Sequence, residues 1–407
     1  MPELRPFPGV RYSSPSDISD LVCPPYDVIS PALQDALHSR HPHNAVRLEL
    51  ARSRGEGYEG VYETFLAWLD EGVLRPEDSP SLYVYRQDFV APDGERRRVA
   101  GVLGALKLEP FGSDSGVLPH ERTMAGPKQD RLALMRACPV NVSPIYAIYR
   151  GAGGLRPFLD SLETRPPAYR FTDDEAILHR LWVVSASAEL DVLSDALSPG
   201  PLVIADGHHR YETALAYHEE QESDGPHDSM MSLCVDADVE ELVVLPYNRA
   251  VRTSTSEDSV RSVLIETFEG RDIDSSEAES LLARPRDDHA FVFRFRESAI
   301  LARATDDQVI AAVGEHHPAW RNLDVVALHE VVLPRVAPGS IHDLRFSREP
   351  AEIARLVEEE GFSFGILLRA LEAPEIVDVA CSGERMPQKA SYFWPKALTG
   401  LVFRPLE

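Results

Sequence analysis

The chain has 407 residues, of which 43% are hydrophobic, and its 41 basic and 66 acidic side chains give a net charge of −25. That length suggests two or three domains, or one elaborated domain, with ample apolar material for a core. The acidic balance argues against a nucleic-acid partner, because phosphate backbones are gripped by basic faces. No run of about 18 apolar residues marks a membrane span.

The four cysteines, Cys23, Cys138, Cys234 and Cys381, lie far apart in sequence and form no C-x-x-C. This spacing implies neither a zinc knuckle nor a disulfide framework, and it fits a reducing cytoplasm. The opening "MPELRPFPGVRY" lacks the basic and apolar regions of a signal peptide.

In chain order, Pro24 and Pro25 forbid a helix and hold Tyr26 and Asp27 in extended or turn geometry. Ser30 and Pro31 read as N-cap and first residue of a short helix. "NAVRLEL" (Asn44 to Leu50) alternates and predicts a strand, with Arg47 and Glu49 sharing one side. Tyr58, Val61, Tyr62, Phe65 and Leu69 keep helical spacing over residues 57–70. "SLYVYRQDFV" and "RRVAGVLGALKLEP" flank Asp93-Gly94 and predict a hairpin.

A loop then leads to "HERTMAGPKQDRLALMRA", where Pro127 suits the first turn of a helix. His120, Glu121, Arg122, Thr123, Lys128, Asp130 and Arg131 crowd this corner and could grip a charged ligand. A solvated helix face with local ion pairs is the plainer alternative.

From residue 179 onward, strands and helices alternate. "PLVIAD" predicts a strand that runs through a turn at Asp206 to His209 into the helix "HHRYETALAYHEE". Gly207 permits a positive φ or a close approach to the backbone. A helix start offers unpaired N–H groups and a positive dipole end, and His208, His209 and Arg210 add donors there. This is the chemistry of an anion site, most simply a phosphate site. The plainer alternative is that Asp206 caps the helix. Adjacent histidines rarely ligate one metal with good geometry, so no metal site is assigned there. No G-x-S-x-G, Walker A or helix-opening G-x-G-x-x-G occurs.

"ELVVLPYNRAV" predicts a further strand. A helix is expected near 257–268, paired strands at "AFVFRFRE" and "ILARATDD", a helix near 350–360, and a strand at "FSFGILLRAL". "GERMPQKASYFWPKALTG" sets Lys389 and Lys396 among aromatics. The expected class is α/β, mixed α+β, with a core over 1–251, an inserted α+β subdomain over 252–340, and a C-terminal segment over 341–407 packing back on the core.

Six motifs in order, "PPYDVI", "NAVRLEL", "HERTMAGPKQDRLALMRACPVNVSPIY", "IADGHHRYETAL", "LPYNRAV" and "MPQKASYFWPKALTG", make the chain resemble the family called domain of unknown function 1015, from about residue 5 to the C-terminus. One departure is Asn248-Arg249, where the family pattern has His-Arg. The "DGHHRYE" turn is similar to the phosphate-holding loop of sulfiredoxins, ParB-like nucleotide-binding proteins and free serine kinases. In that likeness Gly207, His209 and Arg210 match the loop's Gly, His and Arg. His208 stands where sulfiredoxin has its cysteine, so sulfinate repair is not expected. The resemblance implies a ParB/sulfiredoxin-like core with N-terminal, inserted and C-terminal elaborations.

These readings together point to a cytoplasmic phosphotransferase that uses ATP or ADP with Mg²⁺ and acts on a small, serine-like hydroxyl metabolite. Gly207, His209 and Arg210 would cradle phosphate, with Arg122, Thr123, Lys128 and Arg131 around the transferring group. Asp206, Glu49 or Glu121 would take the hydroxyl proton or hold the ion. Arg47, Tyr26, Asp27, Asn141 and Lys389 are assigned to the substrate. The rival readings are a non-catalytic nucleotide or phosphometabolite sensor, and a hydrolase or isomerase with His208 as base. The partners expected are a nucleotide and a small molecule, with neither nucleic acid nor membrane, and the oligomeric state is left open.

Overall fold

The structure, a computed structural model, describes residues 2–51, 57–112, 115–121, 125–196, 200–282 and 288–407. The chain divides into two compact units. The first comprises Met1–Pro119, Thr123–Val243 and Pro395–Glu407, and the second His120–Arg122 and Val244–Trp394. Residues 341–394 thus belong with the second unit and the last thirteen residues, 395–407, with the first.

The first unit is built on a nine-stranded mixed sheet. Its path runs through Val117–Pro119, Leu202–Asp206, Ile145–Tyr149, Ser229–Asp236, Arg96–Lys107, Leu82–Val90, Leu178–Val184 and Tyr169–Thr172. Leu4–Arg5 pairs beside Arg96–Lys107, with Leu4 opposite Leu106. Two pairings are parallel, Leu202–Asp206 with Val117–Pro119 and Ser229–Asp236 with Ile145–Tyr149; the others are antiparallel. The hairpin expected around Asp93-Gly94 joins Leu82–Val90 to Arg96–Lys107. Gly94 has φ +85, and its N–H donates to the Ala91 carbonyl. The buried core includes Leu82, Val102, Leu106, Ile145, Ala147, Ile204 and Tyr211. Helix His208–Glu219 sets Tyr211 and Ala214 into that core, which fixes the direction in which the preceding turn faces.

One predicted strand is a helix. "NAVRLEL" forms the short helix Val46–Glu49. Asn44 Oδ1 accepts from the Val46 N–H at 2.9 Å, while its Nδ2 donates to the carbonyls of Asp20 and Val22. This Asx-type turn sends the chain into a helical start, so the alternation of apolar residues has no partner strand to serve. Arg47 and Glu49 therefore do not share a strand face. Glu49 is buried, whereas Arg47 is half-buried and donates to the His38 carbonyl at 2.6 Å.

The second unit carries a six-stranded antiparallel sheet ordered Arg271–Ile273, Ala299–Ala304, His289–Arg294, Phe364–Leu367, Asn248–Thr253, Ile341–Ser347. "AFVFRFRE" and "ILARATDD" pair as expected, with Val292 opposite Leu301. "ELVVLPYNRAV" is broken into Val243–Leu245 and Asn248–Thr253, because Pro246 has no N–H for a continuous ladder. Asn248 is a structural clamp: its Nδ2 donates to the Arg348 carbonyl at 3.3 Å and its Oδ1 accepts from the Leu368 N–H at 3.1 Å. Asp324, buried, is held by a two-pronged pair from Arg369, Nε to Oδ2 at 2.6 Å and Nη2 to Oδ1 at 2.7 Å.

Candidate functional site

The corner of the first unit follows from three residues. Strand Leu202–Asp206 ends at the sheet, Gly207 turns with φ +89, and the helix begins at His208. A Cβ on Gly207 would lie 2.9 Å from Arg210 Nε and 3.0 Å from its Cζ. Glycine is thus needed both for the left-handed φ and to leave space for a guanidinium. Arg210, only 7% exposed, folds back over the turn. Its Nη2 donates to Asp206 Oδ2 at 2.7 Å and its Nη1 to the Pro144 carbonyl. Asp206 Oδ1 pairs with Lys396. Gly207, not Asp206, is the N-cap residue, and no side chain caps the helix. Asp206 is instead the anion of a Lys396–Asp206–Arg210 triad.

Glu49 is the other centre. Its carboxylate is 3% exposed, and Oε1 accepts from the Ser143 hydroxyl at 3.2 Å. Burial pushes its carboxyl above its ordinary value, although Arg131, Arg210, the Ser143 hydroxyl and the Tyr26 N–H all favour the ionised form. Arg131 is held on every side: Nη1 donates to the Glu49 carbonyl at 2.8 Å, Nη2 to the Tyr58 hydroxyl at 2.8 Å, and Nε to Asp130 Oδ2 at 2.9 Å. Its guanidinium also lies 4.5 Å from the centre of the Tyr26 ring. Glu49 and Asp206 contribute to the field on Arg210, as does exposed Asp27.

Between these groups lies a recess of about 40 Å³ whose polar lining is Glu49, Arg131, Asn141, Ser143, Arg210 and Thr213, set among apolar residues that include Leu134, Met135 and Met230. Three of the residues that line it carry a buried polar atom with no hydrogen-bond partner: Asn141 Nδ2, Arg210 Nε and Thr213 Oγ1. The other end of Asn141 is fixed, because Oδ1 accepts from the Met231 N–H at 3.0 Å and from Arg404 at 3.2 Å. Buried donors left unmade are costly, at about 1–3 kcal/mol each. Unpaired donors of this kind, beside two guanidiniums, are groups that oxygen atoms of a ligand can satisfy.

The structure therefore brings Tyr26, Asp27, Glu49, Arg131, Asn141, Asp206, Gly207 and Arg210 into one neighbourhood. Lys128 pairs with Glu212 on the helix that starts there. His208 is buried and His209 half-buried in the first turn of that helix. Arg47 is directed to the His38 carbonyl instead. Glu121 and Lys389 belong to the second unit. Glu121 there bridges to Met386, and Lys389 has φ +56 with its ammonium 5.1 Å from the Tyr247 ring centre. Arg122 and Thr123 lie outside the described residues. The letters alone single out neither Ser143, Thr213 nor Tyr58 as site residues, and they show Lys396 only as a lysine among aromatics. The motif "CPVNVSPIY" carried Ser143, but nothing in the order of letters tied Thr213 or Lys396 to Asp206.

No curated protein matches the sequence. Among solved structures, the chain is similar to a free serine kinase in complex with AMP, at 12% identity and a TM-score of 0.36, covering 72% of this chain and 86% of that one. It is also similar to SbnI with a C-terminal truncation from Staphylococcus aureus, at 11% identity and a TM-score of 0.39, covering 73% and 85%. A conserved hypothetical protein from Pyrococcus furiosus matches at 12% identity and a TM-score of 0.37, covering 73% and 92%. All three TM-scores lie below 0.5, so the chemistry of the site rests on this chain's own residues. Among the described residues, no helix is long and apolar enough to cross a membrane. The family model described as "Protein of unknown function (DUF1015)" matches residues 4–326, and the chain belongs to that family.

Proposed function

We propose that the first unit binds the phosphate-bearing end of a nucleotide, ATP or ADP, and transfers a phosphoryl group to a small, serine-like hydroxyl compound in the cytoplasm. The observation that supports this reading is the recess itself: a buried carboxylate, Glu49, lies in the field of two guanidiniums, and Asn141, Arg210 and Thr213, which line the same recess, each carry an unpaired buried polar atom. At about 40 Å³ it admits only an oxygen-bearing end of a ligand, so the base and sugar of a nucleotide would lie outside it. In this reading the turn at 206–210 plays the part of the matching turn in ParB/sulfiredoxin-like proteins.

The acceptor hydroxyl oxygen forms a bond to the terminal phosphorus while the bond from that phosphorus to the nucleotide's bridging oxygen breaks. The hydroxyl proton passes to Glu49, and the nucleotide leaves with the bond's electron pair. A carboxylate whose proton affinity is raised by burial is a better base than an exposed one. Arg131 and Arg210 stabilise charge spread over the transferring oxygens, and Asn141 and Thr213 orient them. Asp206 suits neither the base role nor an Mg²⁺ ligand, since both its oxygens are held by cations.

The test is titration calorimetry with ADP and ATP, followed by a transfer assay over serine and related hydroxyl compounds. Nucleotide-dependent phosphorylation that is lost in Glu49→Gln supports the reading. Tight binding with no transfer to any acceptor would replace it with a sensor, and no binding would remove it.

A further inference from the structure

The far end of the helix that begins at His208 carries a second cluster. His218 sits in the helix's last turn, and the turn Pro226–Asp228 brings His227 and Asp228 beside it. One ligand atom from each of the three lies within 4.8 Å of the others. His218 Nδ1 is 3.0 Å from Asp228 Oδ1, and His227 Nε2 is 3.4 Å from the same oxygen. Yet His218 Nδ1 and Asp228 Oδ1 are both buried with no hydrogen-bond partner. They face each other at close range without the alignment of a hydrogen bond. Two ligands on a tetrahedral metal, each bonded at about 2.0–2.1 Å, stand about 3.3 Å apart. The observed separations bracket that value.

From this geometry we propose that His218, His227 and Asp228 form a binding site for a divalent transition-metal ion of the zinc class. Two imidazoles and one carboxylate match the nitrogen and oxygen preferences of such ions. The carboxylate is oriented by the backbone, because Asp228 Oδ2 accepts from the Gly225 N–H at 3.0 Å, which leaves Oδ1 directed at the histidines. The turn is pinned by Arg404, which donates to the carbonyls of Pro226 and Ser229. A Cβ on Gly225 would come within 2.7 Å of His227 Cε1, so glycine makes room for that ring. His227 Nε2 now lies 2.7 Å from the Ser223 carbonyl. Metal binding would shift that ring proton to Nδ1 and leave the carbonyl oxygen as the nearest further oxygen.

The negative end of the helix dipole favours a cation at this place. His218 is ten residues from His208, about 15 Å along the helix axis, so the ion would not reach the phosphate corner. Its role would be to clamp the helix end to the turn that feeds strand Ser229–Asp236.

The test uses the full chain, stripped with a chelator and titrated with Zn²⁺ and, as a spectroscopic probe, Co²⁺. The expected result is one equivalent bound, with visible Co²⁺ absorption and a rise in melting temperature. His218→Ala and His227→Ala should each weaken binding by more than about tenfold, abolish the absorption band and remove the thermal shift. Far-UV circular dichroism confirms that the variants fold. If either does not, Gly225→Ala, which leaves all three ligands in place but crowds the His227 ring, should weaken Co²⁺ binding instead. Unaltered stoichiometry and affinity in the folded variants would place the metal on other histidines and overturn the proposal. Failure of the stripped wild type to bind either ion would do the same, leaving a His–Asp contact only.

Discussion

The Arg210 guanidinium donates to Asp206 at 2.7 Å across one helical turn and occupies the space over Gly207 where a side chain would otherwise stand. Conformation, sterics and electrostatics at this corner are therefore one device. Gly207→Ala meets both a φ of +89 and a contact of 2.9 Å to Arg210. It should cost about 1–3 kcal/mol of stability and displace the guanidinium. Denaturant unfolding and nucleotide titration, run side by side, check both effects. An alanine variant with wild-type stability and affinity would contradict the account of the turn.

Arg210→Ala should weaken nucleotide or phosphate binding by about 1.5–3 kcal/mol, the scale of a hydrogen bond to a charged group. Arg210→Lys keeps the charge but not the fork that reaches Asp206 and Pro144 together, so it should restore little of the loss. Calorimetric affinities for the three proteins measure the difference.

Glu49→Gln keeps the shape of the side chain and removes the carboxylate proposed as the base. Turnover should fall by about 10²–10⁴-fold with nucleotide affinity nearly unchanged. In the wild type the rate should rise with pH as Glu49 loses its proton, with a midpoint above the ordinary value of 4.5. A pH–rate profile that keeps the same limb in Glu49→Gln would assign the limb to another group.

The same residue predicts a stability effect of opposite sign. Because burial raises its folded proton affinity, the native state holds a proton that the unfolded chain releases near 4.5. The wild type should therefore lose stability relative to Glu49→Gln as pH rises from 4.5 toward the raised folded value, and the gap should level off above it. Melting temperatures of both proteins across that range give the test; a gap independent of pH would speak against it.

In the second unit, burial raises the Asp324 carboxyl, but Arg369 and His289 outweigh it, and the net shift is downward from 3.8. Its stabilisation is present above 3.8 and is lost as pH falls through the lower folded value. Asp324→Asn leaves Arg369 buried without its counter-charge and should cost about 3–5 kcal/mol at neutral pH. Equilibrium unfolding of the variant measures it.

Local rules were enough for much of this molecule. Asp93-Gly94 specified a hairpin because glycine takes the positive φ, here +85, that a tight turn needs, and the helix from His208 followed from apolar spacing. Gly207 announced a special backbone, and the acidic charge balance and mixed α/β class could be read from the letters. Tertiary structure decided the rest. Whether "NAVRLEL" pairs as a strand depended on Asn44 finding the carbonyls of Asp20 and Val22, more than twenty residues back along the chain. Asp206 reads as a helix cap until Lys396, 190 residues away, takes one of its oxygens. Asn141, Arg210 and Thr213 come to line one recess only when the segments that carry Glu49, Arg131 and Asn141 close on the helix from His208. Sequence carries short-range preferences, set by dihedral sterics and periodicity. Partnerships between buried charges are set by which distant segments exclude water together, and no local pattern records them.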